Sequence, residues 1–218
     1  LELSEIGNNI FKERLQTASA QGSYAIISAF GLTLSPEGFE FLKNAITDQS
    51  CEYRSEAVRA LSPFLFRQNK DAREFLIEMI RRNHESQLTS VAVSVLALSR
   101  DNELLTIFTD LLEHTDDRIR ANAVEACIPL EFPDKREMFK RMMADSAPRV
   151  CANALLGLWL ADDQQTLACL YGMLKSDSSK MRASAAYAIS FLAKARRFRR
   201  LFPAYSEQSG LIVLPVIE

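Results

Sequence analysis

An alanine returns through this chain at a nearly fixed interval, and that period constrains the fold more than any single motif does. In DDRIRANAVEAC, Ala123 is followed three residues later by Ala126 and then by Cys127. The same register stands at Ala154 (ANALLGL), Ala185 (ASAAYAI), Ala92 (SVAVSVL), Ala57 (SEAVRAL) and, more weakly, Ala25 (SYAIISA). In chain order the spacings are 32, 35, 31, 31 and 31 residues. Six units of that length fill nearly all of the 218 residues. Such a period marks an array of like supersecondary units, each burying its apolar face against the next.

The columns around the anchor say what each unit is. Four places before it stand Tyr53, Leu88, Ile119, Val150 and Met181, and three places after it Ala60, Val95, Ala126, Gly157 and Ala188. Apolar residues at −4, 0, +1, +3 and +4 form a wide helical stripe, with small residues where a neighbouring helix comes close. This is the second helix of each unit. Ahead of it lies another amphipathic run: FEFLKNAI, REFLIEMI, ELLTIFTDLL, REMFKRMM and TLACLYGML.

Turn chemistry separates the two helices. Ser35 ahead of Pro36, Asp71 three before Glu74 and Asp134 three before Glu137 predict caps for the first helices. Asp48, Asp116 and Asp117, Asp145 and Asp177 sit in the turns that follow, where an acid suits the positive end of the second helix. Six places after the anchor come Gly31, Pro63 and Pro129, expected to end or kink the second helix. A lone pair of such helices is too short to be stable, so the units must stack. Only seven glycines and seven prolines occur, which fits long helices with short turns.

Four cysteines at 51, 127, 151 and 169 have no CxxC spacing and lie among Ala, Leu and Val, so they read as reduced, buried thiols of a cytoplasmic protein. No run of 18 apolar residues occurs, and the start carries no secretory signal pattern. The chain opens at Leu1 and closes after LIVLPVIE, which suggests a domain cut from something longer. The net charge is −2; KARRFRR at 194–200 holds five cations, which leaves −7 on the remainder. An acidic body disfavours nucleic acid as partner, since that affinity comes mainly from neutralised phosphates.

These units resemble the second helix of HEAT repeats: DDRIRANAVEAC, DSAPRVCANALLGL, DSSKMRASAAYAI and CEYRSEAVRAL carry a turn Asp ahead of a V-R-x-x-A type core, over roughly residues 20–195. The short period is most similar to the variety named after phycobilisome lyases. The family's Asp is matched by Asp117, Asp145 and Asp177 and its Arg by Arg54, Arg120 and Arg182, while Thr89 and Cys151 occupy that Arg position elsewhere. The resemblance implies an all-α, right-handed α–α superhelix, a HEAT-like solenoid of about six helix pairs over residues 1–201, with 202–218 as a tail or linker. It also implies second helices lining a concave face and an Asp–Arg ladder broken at Thr89 and Cys151.

On that face the positions −5, −1 and +2 fall on one side of the helix, outside the packing stripe. They give Arg118, Asn122 and Glu125, then Arg149, Asn153 and Leu156, then Lys180, Ser184 and Tyr187. Upstream they give Glu52, Glu56 and Arg59, then Gln87, Val91 and Ser94. Arg118, Arg149 and Lys180 form a basic column near helix N-termini, flanked by a hydrogen-bonding column of Asn122, Asn153 and Ser184. The two suit an anionic peptide or a phosphate-bearing ligand. Leu156, Tyr187 and Trp159 add apolar surface, although Trp159 at the stripe's edge is expected to be buried against the next unit. A solvated helix face is the ordinary reading of such a polar set.

Catalytic signatures are missing from the sequence: there is no GxSxG, HExxH, Walker A or GxGxxG. His84 and His114 lie near the ends of first helices, where a cationic imidazole complements the dipole. The reading is therefore of a non-enzymatic scaffold, without cofactor or metal, binding a protein or peptide. Three alternatives stand beside it: the cytoplasmic regulatory domain of a larger, membrane-attached protein, a chaperone-like subunit similar to bilin lyases, and a HEAT-like DNA glycosylase disfavoured by the body charge. KARRFRR reads as the capping helix of the stack, with Phe198 and Leu201 inward. On the membrane alternative, Arg196, Arg197, Arg199 and Arg200 would touch lipid headgroups.

Overall fold

The computed structural model describes residues 19–82, 85–161 and 165–194. These are mostly α-helical, and no strand occurs among them. The chain divides into two compact units, with the boundary between Asp101 and Asn102.

The first unit contains α1 (Ala20–Thr33), α2 (Pro36–Thr47), α3 (Arg54–Arg59), α4 (Ser62–Phe66), α5 (Lys70–Arg82) and α6 (Ser86–Leu96), extended by a 3₁₀ turn at Ala97–Ser99. Helices α2 and α5 are the expected first helices. Helices α1, α3 and α6 are second helices, with α1 packed on α3 and α3 on α6. Pro63 in the first turn of α4 separates that segment from α3 because proline cannot donate to the preceding turn. The core is aromatic: Phe30 stacks on Phe41 with centroids 3.7 Å apart, and Phe39 meets Phe64 at 5.7 Å and Phe75 at 6.3 Å.

The second unit opens with a 3₁₀ turn, Asn102–Leu104, and α7 (Leu105–Asp110), which tightens into 3₁₀ at Leu111–Glu113. Then follow α8 (Asp117–Cys127), α9 (Lys135–Met142), α10 (Pro148–Leu160), α11 (Gln165–Leu174) and α12 (Ser179–Lys194). Helix α10 packs on α8 and on α12, and each of these second helices also packs on the first helix before it.

The alanine period is a packing period. Ala57, Ala92, Ala123, Ala154 and Ala185 are each 0% exposed. The small column three places on has a visible cause at Gly157, where an added Cβ would lie 2.5 Å from Cζ of the buried Phe139 ring of α9. Trp159 and Leu156 are both buried, in a core cluster with Leu170, Met173, Ala185 and Ala188. Trp159 is thus where it was expected, whereas Leu156 contributes no open surface.

The first unit of the period needs a correction of register. Ala25 is exposed, and its place is filled by Ile27, with Ser23 four before it and Phe30 three after, all buried. Larger side chains win the interior here because Phe30 has the Phe41 ring to stack on. Gly31 does not terminate α1, which runs on to Thr33; it lies against the Ala60 carbonyl, so close that a Cβ would collide with that oxygen.

Caps also differ in detail. Ser35 caps α2 as expected, its hydroxyl accepting from the Gly38 N–H at 3.0 Å. Helix α5 is capped by Asn69, which accepts from the Ala72 N–H at 2.9 Å, while Asp71 sits inside the first turn. Asp134 precedes α9 in a left-handed conformation without a side-chain cap bond. Among the described residues it is one of four non-glycine residues at positive φ, with Leu34 (51°), Gln68 (55°) and Arg100 (50°). Each stands at a turn from a second helix to the next first helix. His84, residues 195–201 and the tail 202–218 lie outside the described residues.

Candidate partner-binding ridge

Helices α8, α10 and α12 bring five of the sequence-derived ridge positions together. Arg149 donates through Nη2 to Asn122 Oδ1 at 2.9 Å. Asn153 donates through Nδ2 to the Ala121 carbonyl at 2.9 Å and to Glu125 Oε2 at 3.3 Å. Tyr187 donates its hydroxyl to Glu125 Oε1 at 3.3 Å, and the Arg149 guanidinium lies 6.0 Å from its ring centroid. Arg149 also sits 3.8 Å from Glu125. One carboxylate on α8 therefore collects groups from both α10 and α12.

Two residues do not stand where the helical spacing put them. Asn122 and Asn153 were expected on open surface, yet they are 6% and 0% exposed. The small residues of the seam draw α8 and α10 together, and the two amides are enclosed by that approach. Burial obliges each to find partners inside the protein. Asn153 finds two acceptors for its NH₂, but its Oδ1 is buried without a hydrogen-bond partner.

The basic column is also partly spent. Arg118 folds back on its own cap: Nη2 reaches Asp116 Oδ2 at 2.7 Å and Nε reaches Oδ1 at 3.1 Å. That guanidinium holds the Asp116 carboxyl far below the ordinary range. Asp116, not Asp117, caps α8. Lys180 is exposed, Ser184 is half-buried, and no described residue pairs with the Lys180 ammonium. Tyr187 is 45% exposed; burial first, then the Glu125 charge, push its phenol above the usual value. In the first unit the corresponding positions hold Gln87, which reaches Ser55 Oγ at 3.5 Å, and Val91, which is buried.

The turns hold a second constellation. Arg120 reaches Asp145 through Nε at 2.8 Å and Nη2 at 2.9 Å, while its Nη1 binds the His114 and Thr115 carbonyls. Arg182 repeats the carbonyl contacts at Ser176 and Asp177, and Arg54 binds the Ile46 carbonyl but pairs with Glu85 rather than with a turn Asp. An Arg–Asp pair thus joins successive turns at Arg120–Asp145, whereas Arg54 pairs with Glu85. His114 accepts at Nδ1 from the Asp116 N–H at 2.9 Å. Arg120, Asp145, Glu113 and Arg141 line a cleft of about 450 Å³ whose charged groups are mutually engaged.

Among the described residues no cluster of three His, Cys, Asp or Glu side chains converges as a metal site, and no helix is long and apolar enough to cross a membrane. Cys127 is buried with its thiol pushed up to about 12 by desolvation, but Cys51 and Cys151 are half-buried and Cys169 is exposed, contrary to the expectation that all four are buried. Phe191 escaped the sequence reading. It is 42% exposed and lies four residues beyond Tyr187, a helical spacing that could have revealed it.

No family model matches the chain, and no curated protein matches it. Among solved structures, the crystal structure of an engineered protein is similar, with 17% identity, a TM-score of 0.46, and coverage of 86% of this chain and 97% of that one. Within the described residues the chain is all-helical, with a buried alanine recurring along its second helices and a polar network joining three of them.

Proposed function

We propose that this chain is a non-catalytic helical-repeat scaffold, a right-handed α–α superhelix of about six helix pairs, that binds a protein segment on the ridge of its second helices. The observation that carries the reading is the Glu125 network. It fixes Arg149 and Tyr187, two residue types that dominate binding hot spots, in one geometry while both stay partly exposed. A surface held by bonds formed before the partner arrives loses less side-chain freedom on binding.

Site-specific photo-crosslinking tests this in the intact chain. A photoreactive residue at 180, 184 or 187 should form a discrete protein adduct, and one at the exposed first-helix positions Glu78 or Glu137 should not. Equal adduct formation from both sets, or none from the ridge, would sink the scaffold reading.

A further inference from the structure

The last described helix presents a stripe that the network leaves uncovered. Lys180, Ser184, Tyr187 and Phe191 are spaced by four, three and four residues, so they share one face of α12. Tyr187 and Phe191 are 45% and 42% exposed, one turn apart, and Lys180 lies at the N-terminal end of the same line. The charge along this helix and the turn before it is one-sided: residues 171–191 contain Lys175, Lys180 and Arg182 against the single acid Asp177, and the carboxylate that reaches the stripe from α8, Glu125, is held by Tyr187. The positive end of the α12 dipole adds to that imbalance. In the second unit, Asp116 is engaged by Arg118 and Glu125 by Arg149, Asn153 and Tyr187.

We infer that the α12 stripe docks an acidic amphipathic helix of a partner protein, with a carboxylate at Lys180 and two apolar side chains over Tyr187 and Phe191. The inference rests on the scaffold reading and narrows it to one helix and one partner chemistry. Apolar anchors at helical spacing are how one helix reads another, and the isolated cation fixes the direction in which the partner runs. A sheet of anionic lipid or a polyphosphate fits worse, because Glu125 stands beside Tyr187 and would face the same negative charge. A discrete helix can place its acid at one end and keep apolar atoms near Glu125.

The test is a selection of random displayed 16-residue peptides on the intact chain. The expected winners carry Asp or Glu at one end and apolar residues spaced by three or four, and their affinity falls at least tenfold on Lys180→Glu and on Phe191→Ser. Both substitutions are at exposed positions, so circular dichroism and melting temperature should be unchanged. Selection repeated on Lys180→Glu should enrich Lys or Arg at the end that carried acid. Winners without acid, winners indifferent to both substitutions, or no winners because residues 195–218 occupy the stripe, each overturn the inference. Stronger binding of phosphatidylglycerol vesicles or of a single-stranded oligonucleotide, lost in the same variants, overturns it too. Ridge crosslinks that persist alongside a failed selection would leave the scaffold reading standing and remove only this one.

Discussion

Arg120 and Asp145, 25 residues apart in sequence, meet through two parallel hydrogen bonds of 2.8 and 2.9 Å, with side chains only 15% and 10% exposed. The pair links the turn before α8 to the turn before α10, because the same guanidinium also holds the carbonyls of His114 and Thr115. Asp145→Ala would leave a mostly enclosed guanidinium with its strongest acceptor gone. The expected loss is about 2–4 kcal/mol, read from urea unfolding of the variant against the parent.

A pH dependence follows from the same pair. The Arg120 hydrogen bond is the main cause of the lowered Asp145 pKa, so the folded value lies below the unfolded one, about 3.9. The pair's contribution is therefore complete above that value and lost as the pH falls through the folded pKa. Asp145→Asn should show a shallower decline of stability below about pH 4 than the parent, with the two curves converging in acid. Parallel curves in urea melts across that range would refute the assignment.

The alanine column sets a packing test. Ala154 is fully buried between α10 and its neighbours, and Arg at that position would carry a bulky charge into the seam; a loss of more than about 3 kcal/mol is expected. Gly157→Ala is milder, since the Phe139 ring can tilt, and about 1–3 kcal/mol is expected. A soluble, fully helical Ala154→Arg variant melting with the parent would contradict the packing register.

How much of this was legible in the sequence differs by position. The anchors from Ala57 onward could be counted because a small residue is the only kind that fits a close seam, so composition itself records the contact. Ala25 misled because α1 offers two overlapping apolar stripes, and only the Phe41 ring decides which one turns inward. Asn122 and Asn153 misled for a related reason. Helical spacing gives the direction of a side chain but not how near the next helix comes, and an amide that bonds the Ala121 carbonyl across a seam has the same sequence signature as a solvated one. Caps such as Asn69 depend on backbone angles that several candidate residues could satisfy.

The left-handed turn residues predict a gain. Gln68 is exposed and holds φ at 55°, a region that costs a residue with a Cβ about 1 kcal/mol. Gln68→Gly should raise stability by about 0.5 kcal/mol, less than the full strain because glycine also loosens the unfolded chain. Calorimetry of the variant would show a higher melting temperature; a lower one would mean the turn is unstrained.

Cysteine chemistry should discriminate by depth. With its pKa pushed up to about 12 by desolvation, Cys127 stays a protonated thiol at pH 8, whereas Cys169 is exposed. Iodoacetamide followed by peptide mass analysis should modify Cys169 in the native chain and reach Cys127 only in denaturant. Early alkylation of Cys127 would indicate that α8 opens in the native state.

Glu125 has a consequence for how occupancy of α12 would be felt elsewhere. Its two oxygens are divided between helices, Oε1 receiving Tyr187 and Oε2 receiving Asn153, which are 62 and 28 residues away in sequence. A ligand that pulls the Tyr187 hydroxyl toward itself frees Oε1 and leaves Glu125 to Asn153 and Arg149, so the amide at the bottom of the seam senses an event on the surface. The Asn153 side-chain resonances, in a chain with selectively labelled asparagine, would then report binding at the neighbouring helix α12.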